Sequence, residues 1–286
     1  MGSTLIGFLV VASALGAEES PLLKEKQIGE LSIHVRPANE YDRPDHQYEK
    51  NFDDVLEIHH GNDILFRMME LTGLSIMETP KEFDFNKDGI EDLAVLSYSG
   101  GMHCCMDYVF IDLRGIIHEF ARAHGGNQDS AEFERNSDHL ILPLGDETFQ
   151  YWYTSFAEFI AQSVDLYWDG HSLALDLNAM ARPLPPKSEL DGIAQEVRSE
   201  MIRGDHTDEG TRTSWTSNPW GAVPVMLWRT MLDLIYTGHP READSFFNAA
   251  WPKSLPGKWA FYADFTKQLH SSPYWPQLCG WCAPRR

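Results

Sequence analysis

A chain of 286 residues, 43% of them apolar, is long enough for one large domain or two smaller ones, each with its own core, and too apolar to be disordered. Its 43 acidic side chains against 23 basic ones leave a net charge of −20, which argues against phosphate backbones or an anionic membrane surface as partners and suits divalent cations.

The first element is an uninterrupted run of apolar and small residues from Leu5 to Ala17. Ala14-Leu15-Gly16 offers a small-x-small cleavage site, and Glu18-Glu19 opens a polar segment, so residues 1–17 are predicted to be a signal peptide. No Lys or Arg precedes the run, and a buried N-terminal helix is the alternative. No later segment reaches about 18 consecutive apolar residues, so the mature chain is expected to have no transmembrane segment. A periplasmic or secreted bacterial location follows.

Residues 18–182 read as a β-rich domain. Short runs rich in Val, Ile, Leu, Phe and Tyr alternate with Gly, Asn and Asp turns at Leu31–Val35, Val55–His59, Ile64–Met68, Leu93–Ser97, Tyr108–Leu113, His139–Leu142, Val164–Trp168 and Leu173–Leu175. Gly61-Asn62-Asp63 sits between two such runs as a hairpin turn would. His59 and His60 fall on one predicted strand and face opposite ways, which speaks against a joint ligand role.

Between two of these runs lies FDFNKDGIEDLAVLSYSGGMHCC, Phe83 to Cys105. Asp84, Asn86 and Asp88 alternate, Gly89 follows, and Asp92 comes four after Asp88, matching positions 1, 3, 5, 6 and 9 of a calcium loop with the Ile90 carbonyl at position 7. A hard cation wants six to eight oxygens at about 2.3–2.6 Å, and a curled loop turns alternate side chains inward while glycine takes the backbone angle that others resist. Position 12, where an EF-hand needs a bidentate Glu, is Val95, and no entering helix precedes Asp84. An Asx-rich turn without an ion is the plain alternative. Magnesium suits the loop less, because it demands octahedral geometry and keeps its waters.

The pattern Asp84-x-Asn86-x-Asp88-Gly89-x-x-Asp92-Leu93 resembles the calcium loop of FG-GAP and VCBS β-repeats, which in integrins and similar proteins lies between strands of a propeller blade. One loop matches, so no full propeller is implied. Together with the following SGGMHCC it is similar to a group of uncharacterised exported bacterial proteins with a loop, a strand and Gly-Gly-x-His-Cys-Cys. The stretches YTSFAEFIAQSVDLYWDG and MLDLIYTGHPREADSFFNAAWP extend the likeness, which implies calcium binding and export but no reaction.

The four cysteines are Cys104, Cys105, Cys279 and Cys282. Export and an even count favour disulfides, with three connectivities open. The resemblance includes the vicinal pair and so implies local bridges Cys104–Cys105 and Cys279–Cys282. A soft-metal site using His103 with these cysteines is the alternative, although neighbours on a strand need a bulge to converge. Cys279-Gly280-Trp281-Cys282 lacks the helix start in a βαβ setting that a thioredoxin-like role requires.

HEFARAH, His118 to His124, is a near miss for a zinc helix, since Arg122 stands where the second histidine belongs. No nucleophile elbow, P-loop or dinucleotide fingerprint occurs. The aromatic residues of YWYTSF and LYWDG read as core and hairpin packing.

The pattern changes at the Pro-rich joint ARPLPPKSEL. In residues 187–286 Leu190, Ile193, Val197 and Met201 share one helical face, and Leu227, Met231, Leu234 and Ile235 another. GDHTDEGTRTSWTSNPWGA between them reads as a long loop. Gly238, Ala243, Phe247 and Ala250 have the spacing of a tetratricopeptide-like helical hairpin, one copy of which packs on its own domain rather than forming a solenoid. The fold class is therefore α+β: a β-rich domain, propeller-blade-like or sandwich-like, followed by a small helical unit.

Three functions fit. The first is an exported calcium-binding protein, non-catalytic, acting as a binding or structural module with a protein or cell-envelope ligand. The second is a periplasmic hydrolase with a site between the two parts, and the third a redox or soft-metal protein using His103, Cys104 and Cys105. Nucleic acid is not an expected partner.

Overall fold

A computed structural model of the chain describes residues 23–39, 41–42, 53–71, 73–101, 106–128, 131–136, 138–159, 161–203 and 223–282. The predicted signal peptide, His103 to Cys105 and the loop predicted within 204–222 lie outside the described residues. The fold is α+β, with three four-stranded antiparallel sheets followed by most of the helices.

Each sheet is a meander of strands consecutive in sequence. The first comprises β1 (Glu25–Ile28), β2 (Leu31–Pro37), β3 (Asp53–His60) and β4 (Asp63–Leu71). The predicted hairpin joins β3 to β4, with Gly61 in the left-handed region at φ 60°. The second meander is β5 (Gly73–Ile76), β6 (Leu93–Tyr98), β7 (Met106–Asp112) and β8 (His118–Gly126). The third is β9 (Glu134–Asn136), β10 (His139–Asp146), β11 (Gln162–Trp168) and β12 (Leu173–Leu175).

The central strands of the second meander, β6 and β7, are buried on both faces, and their sequence says why. Successive residues of a strand point to opposite sides, and here both sets are apolar. Leu93, Val95, Val109 and Ile111 join Ile33, Val35, Leu56 and Ile58 of the first meander in one core. Ala94, Leu96, Tyr108 and Phe110 join Leu142, Leu144 and Val164 of the third in another.

The segment 118–126, where the sequence reading places no strand, is β8. Its inward residues include Ala121 and Ala123, opposite Phe110 and Tyr108 of β7, and Gly125, where the Tyr108 ring leaves no room for a side chain: a Cβ there would lie 2.4 Å from that ring. The histidines and Arg122 of HEFARAH thus sit on a strand, not a helix.

Beyond the third meander come α1 (Leu177–Met180), α2 (Lys187–Arg203), α3 (Val225–Tyr236), α4 (Pro240–Ala250), α5 (Lys258–Leu269) and α6 (Trp275–Leu278). Asp176 starts α1 by accepting the Asn178 and Ala179 amides at 3.1 and 3.0 Å. Leu227, Met231, Leu234 and Ile235 of α3 are all buried, as their spacing predicts. Gly238, at φ 95°, turns α3 into α4, and the Trp281 ring lies 3.6 Å from where its Cβ would be. The helices share a core with the third meander: Trp152 meets Trp228 edge-on at 5.7 Å, and Phe149 lies 5.3 Å from Phe265. No helix among the described residues is long and apolar enough to cross a membrane.

Candidate functional site

The loop before β6 is built on an alternation. Phe83 and Phe85 are buried, and the Phe85 ring stacks on Phe110 of β7 at 4.5 Å. Asp84 and Asn86, between and beside them, belong to the loop. Two aromatic rings therefore hold the base of the polar loop in the core, each worth about 1.5–3 kcal/mol of burial.

The polar residues curl as their chemistry predicts. Asp84 accepts the amides of Asp88 and Gly89 at 3.0 and 2.8 Å through its two oxygens. The side-chain oxygen of Asn86 accepts the Asp88 amide at 2.9 Å, and Oδ1 of Asp88 accepts the Ile90 amide at 2.9 Å. Lys87 at φ 61° and Gly89 at φ 89° take the left-handed angles that close the curl. Asp92 braces the loop from the far side: its Oδ2 accepts the amides of Phe85 and Asn86 at 2.8 and 3.1 Å, and its Oδ1 accepts the Asn86 side-chain amide at 3.3 Å. Asp92 is fully buried, and that burial, against its backbone donors and helped by the Asp84 and Asp112 charges, pushes its carboxyl up to about 7. β6 begins at the next residue.

One oxygen of the loop is left over. Oδ2 of Asp88 is buried and accepts no hydrogen bond. It lies 3.0 Å from Nε of Arg114, an ion-pair distance without the alignment of a hydrogen bond. Arg114 stands on the turn between β7 and β8, where its own amide donates to Oδ1 of Asp112 at 2.6 Å. Among the described residues no three or more His, Cys, Asp or Glu side chains are grouped so as to hold a metal. As placed, the carboxylates of Asp84 and Asp92 are occupied by N–H donors.

Of the cysteines, Cys279 opens the 3-10 turn Cys279–Cys282 and is an exposed free thiol, while the Cys282 side chain lies outside the described residues.

Two polar features were not legible in the sequence. A cleft of about 180 Å³ lies where β11, the end of α1 and α3 meet, lined by Asp165, Arg182, Asp233 and Tyr236 among others. Burial raises the Asp165 carboxyl, with Arg182 acting against it; Asp233 is raised the same way, but it stays exposed at the mouth, where solvent blunts the effect. Nearby, Asp176 accepts His139 Nε2 at 2.9 Å and the Asn136 side chain at 2.7 Å. These residues come from separate strands and helices, and no short motif unites them.

The chain matches no protein-family model, no curated protein and no solved structure.

Proposed function

We propose that this is an exported, calcium-stabilised protein, non-catalytic, that acts as a binding or structural module. The observation that carries the reading is Oδ2 of Asp88: a buried carboxylate oxygen without a hydrogen bond, in a loop whose other acids already curl inward. Arg114, reaching in from solvent, meets that oxygen only as an ion pair at 3.0 Å; a buried carboxylate oxygen without a hydrogen bond is costly, and a metal cation is the fuller partner its charge calls for. Asp84, Asn86, Asp88 and Asp92, with the Ile90 carbonyl, would hold the ion, and all are hard oxygen donors of the kind calcium prefers. What the ion supplies is charge neutralisation that stiffens the strand leading toward His103.

The hydrolase alternative would use the cleft beside Asp165 and Asp233. At about 180 Å³ it falls short of the roughly 300–1,000 Å³ of sites that enclose a sizeable ligand, so the loop leads. The redox alternative rests on His103, Cys104 and Cys105, outside the described residues.

The experiment is a melting curve with calcium and with chelator, for the wild type and for Asp88→Ala. Linkage gives about 2.7 kcal/mol when free calcium is 100 times the dissociation constant, which raises the melting temperature by a few degrees. Asp88→Ala should lose most of that gain. A wild type that melts identically in both conditions, with no calorimetric binding at millimolar calcium, makes the loop an ordinary Asx turn.

A further inference from the structure

We infer that Arg114 is a built-in competitor of the ion: its guanidinium sits on the oxygen of Asp88 that calcium would need, and binding must displace it. This rests on the reading of the loop as a calcium site. The Asp88 side chain is only 10% exposed, whereas that of Arg114 is 59% exposed, so the arginine reaches in from solvent and can swing back out at little cost. Its aim is fixed by the turn that bears it. Asp112, itself buried, accepts the Arg114 amide, and Gly115 at φ 67° completes the bend toward the loop.

The electrostatics set the direction of the effect. Without an ion, Asp84, Asp88, Asp92 and Asp112 gather negative charge about a small volume, and one guanidinium offsets part of it. A doubly charged ion and the guanidinium repel each other if both stay near Asp88, so the arginine is released as the ion enters. Its presence lowers the affinity of the loop and moves it toward the 10⁻⁴–10⁻³ M range typical of extracellular calcium modules.

Calcium titration by calorimetry at low ionic strength, on the wild type, Arg114→Gln and Arg114→Lys, tests this. Arg114→Gln should bind roughly tenfold more tightly, by a margin that shrinks as salt is added. Arg114→Lys, which keeps the charge, should stay close to the wild type. In a nitrogen-proton correlation spectrum the Nε–H signal that Arg114→Gln removes should shift when calcium is added to the wild type. If the wild type binds and Arg114→Gln binds equally or more weakly, Arg114 orients Asp88 rather than competing, and the inference fails while the calcium reading stands. If no variant binds at millimolar calcium, both fall together.

Discussion

The hydroxyl of Tyr236, in the last turn of α3, donates to Oδ2 of Asp146 at 2.5 Å, at the end of β10 and 90 residues away in sequence. Ser272 donates to the same oxygen at 2.5 Å, and Thr148 gives Oδ1 both its hydroxyl and its amide, at 2.5 and 2.9 Å. A buried carboxylate is thus held by four donors from three parts of the chain, and it ties the third meander to the helices. Burial beside that charge pushes the Tyr236 phenol far above its ordinary pKa and that of Tyr274 up to about 12.

Tyr236→Phe should therefore be costly although it deletes one oxygen. The carboxylate stays buried and loses a donor, for which about 1–3 kcal/mol is expected. Urea denaturation followed by fluorescence measures it. Tyr41→Phe is the control: Tyr41 is exposed, so its change should stay within about 0.5 kcal/mol.

Phe85 separates the loop's support from its ligands. Phe85→Ala removes a ring from the core beneath Asp84 and Asn86 without touching an oxygen donor. It should destabilise by about 3–5 kcal/mol and weaken calcium binding, measured by chemical denaturation and by titration. An unchanged calcium affinity in a folded variant would mean that the loop holds its shape without the core.

Acid should weaken the cluster around Asp42. Arg36 grips Asp42 with two nitrogens at 2.7 and 2.8 Å and Glu57 at 2.7 Å, and Arg67 adds a second bridge to Glu57 at 2.6 Å. The hydrogen bonds from Arg36 hold the Asp42 carboxyl down to about 2 despite its burial, and lower Glu57 as well. A folded pKa below the unfolded value of about 3.9 adds stability that is fully present above pH 4 or so and is lost as pH falls toward 2. Melting temperature against pH should show a fall in that window that is shallower in Asp42→Asn; equal slopes would detach the cluster from acid unfolding.

How far the sequence revealed this molecule depended on where the information sat. β6 and β7 were legible because both faces are apolar, and α3 because Leu227, Met231, Leu234 and Ile235 repeat at helical spacing. The curl of the loop at 84–92 was legible because Asp, Asn and Gly act on their own neighbours. β8 was not, because its inward positions are Ala121, Ala123 and Gly125, small residues that leave little hydrophobic signal, and β1, with the sequence EKQI, has less. Contacts such as Arg114 to Asp88, or Ser272 to Asp146, join residues that only the topology brings together. No local rule reaches across those intervals.

The double burial of β6 and β7 also sets how the molecule comes apart. The first meander can peel away while the core around Tyr108 and Phe110 stays closed, since the two cores meet only through strands they share. The shared strands differ. Opening β6 and β7 exposes both cores at once, so their amides reach solvent only when the whole fold lets go, and the strand that leaves Asp92 is the last to yield.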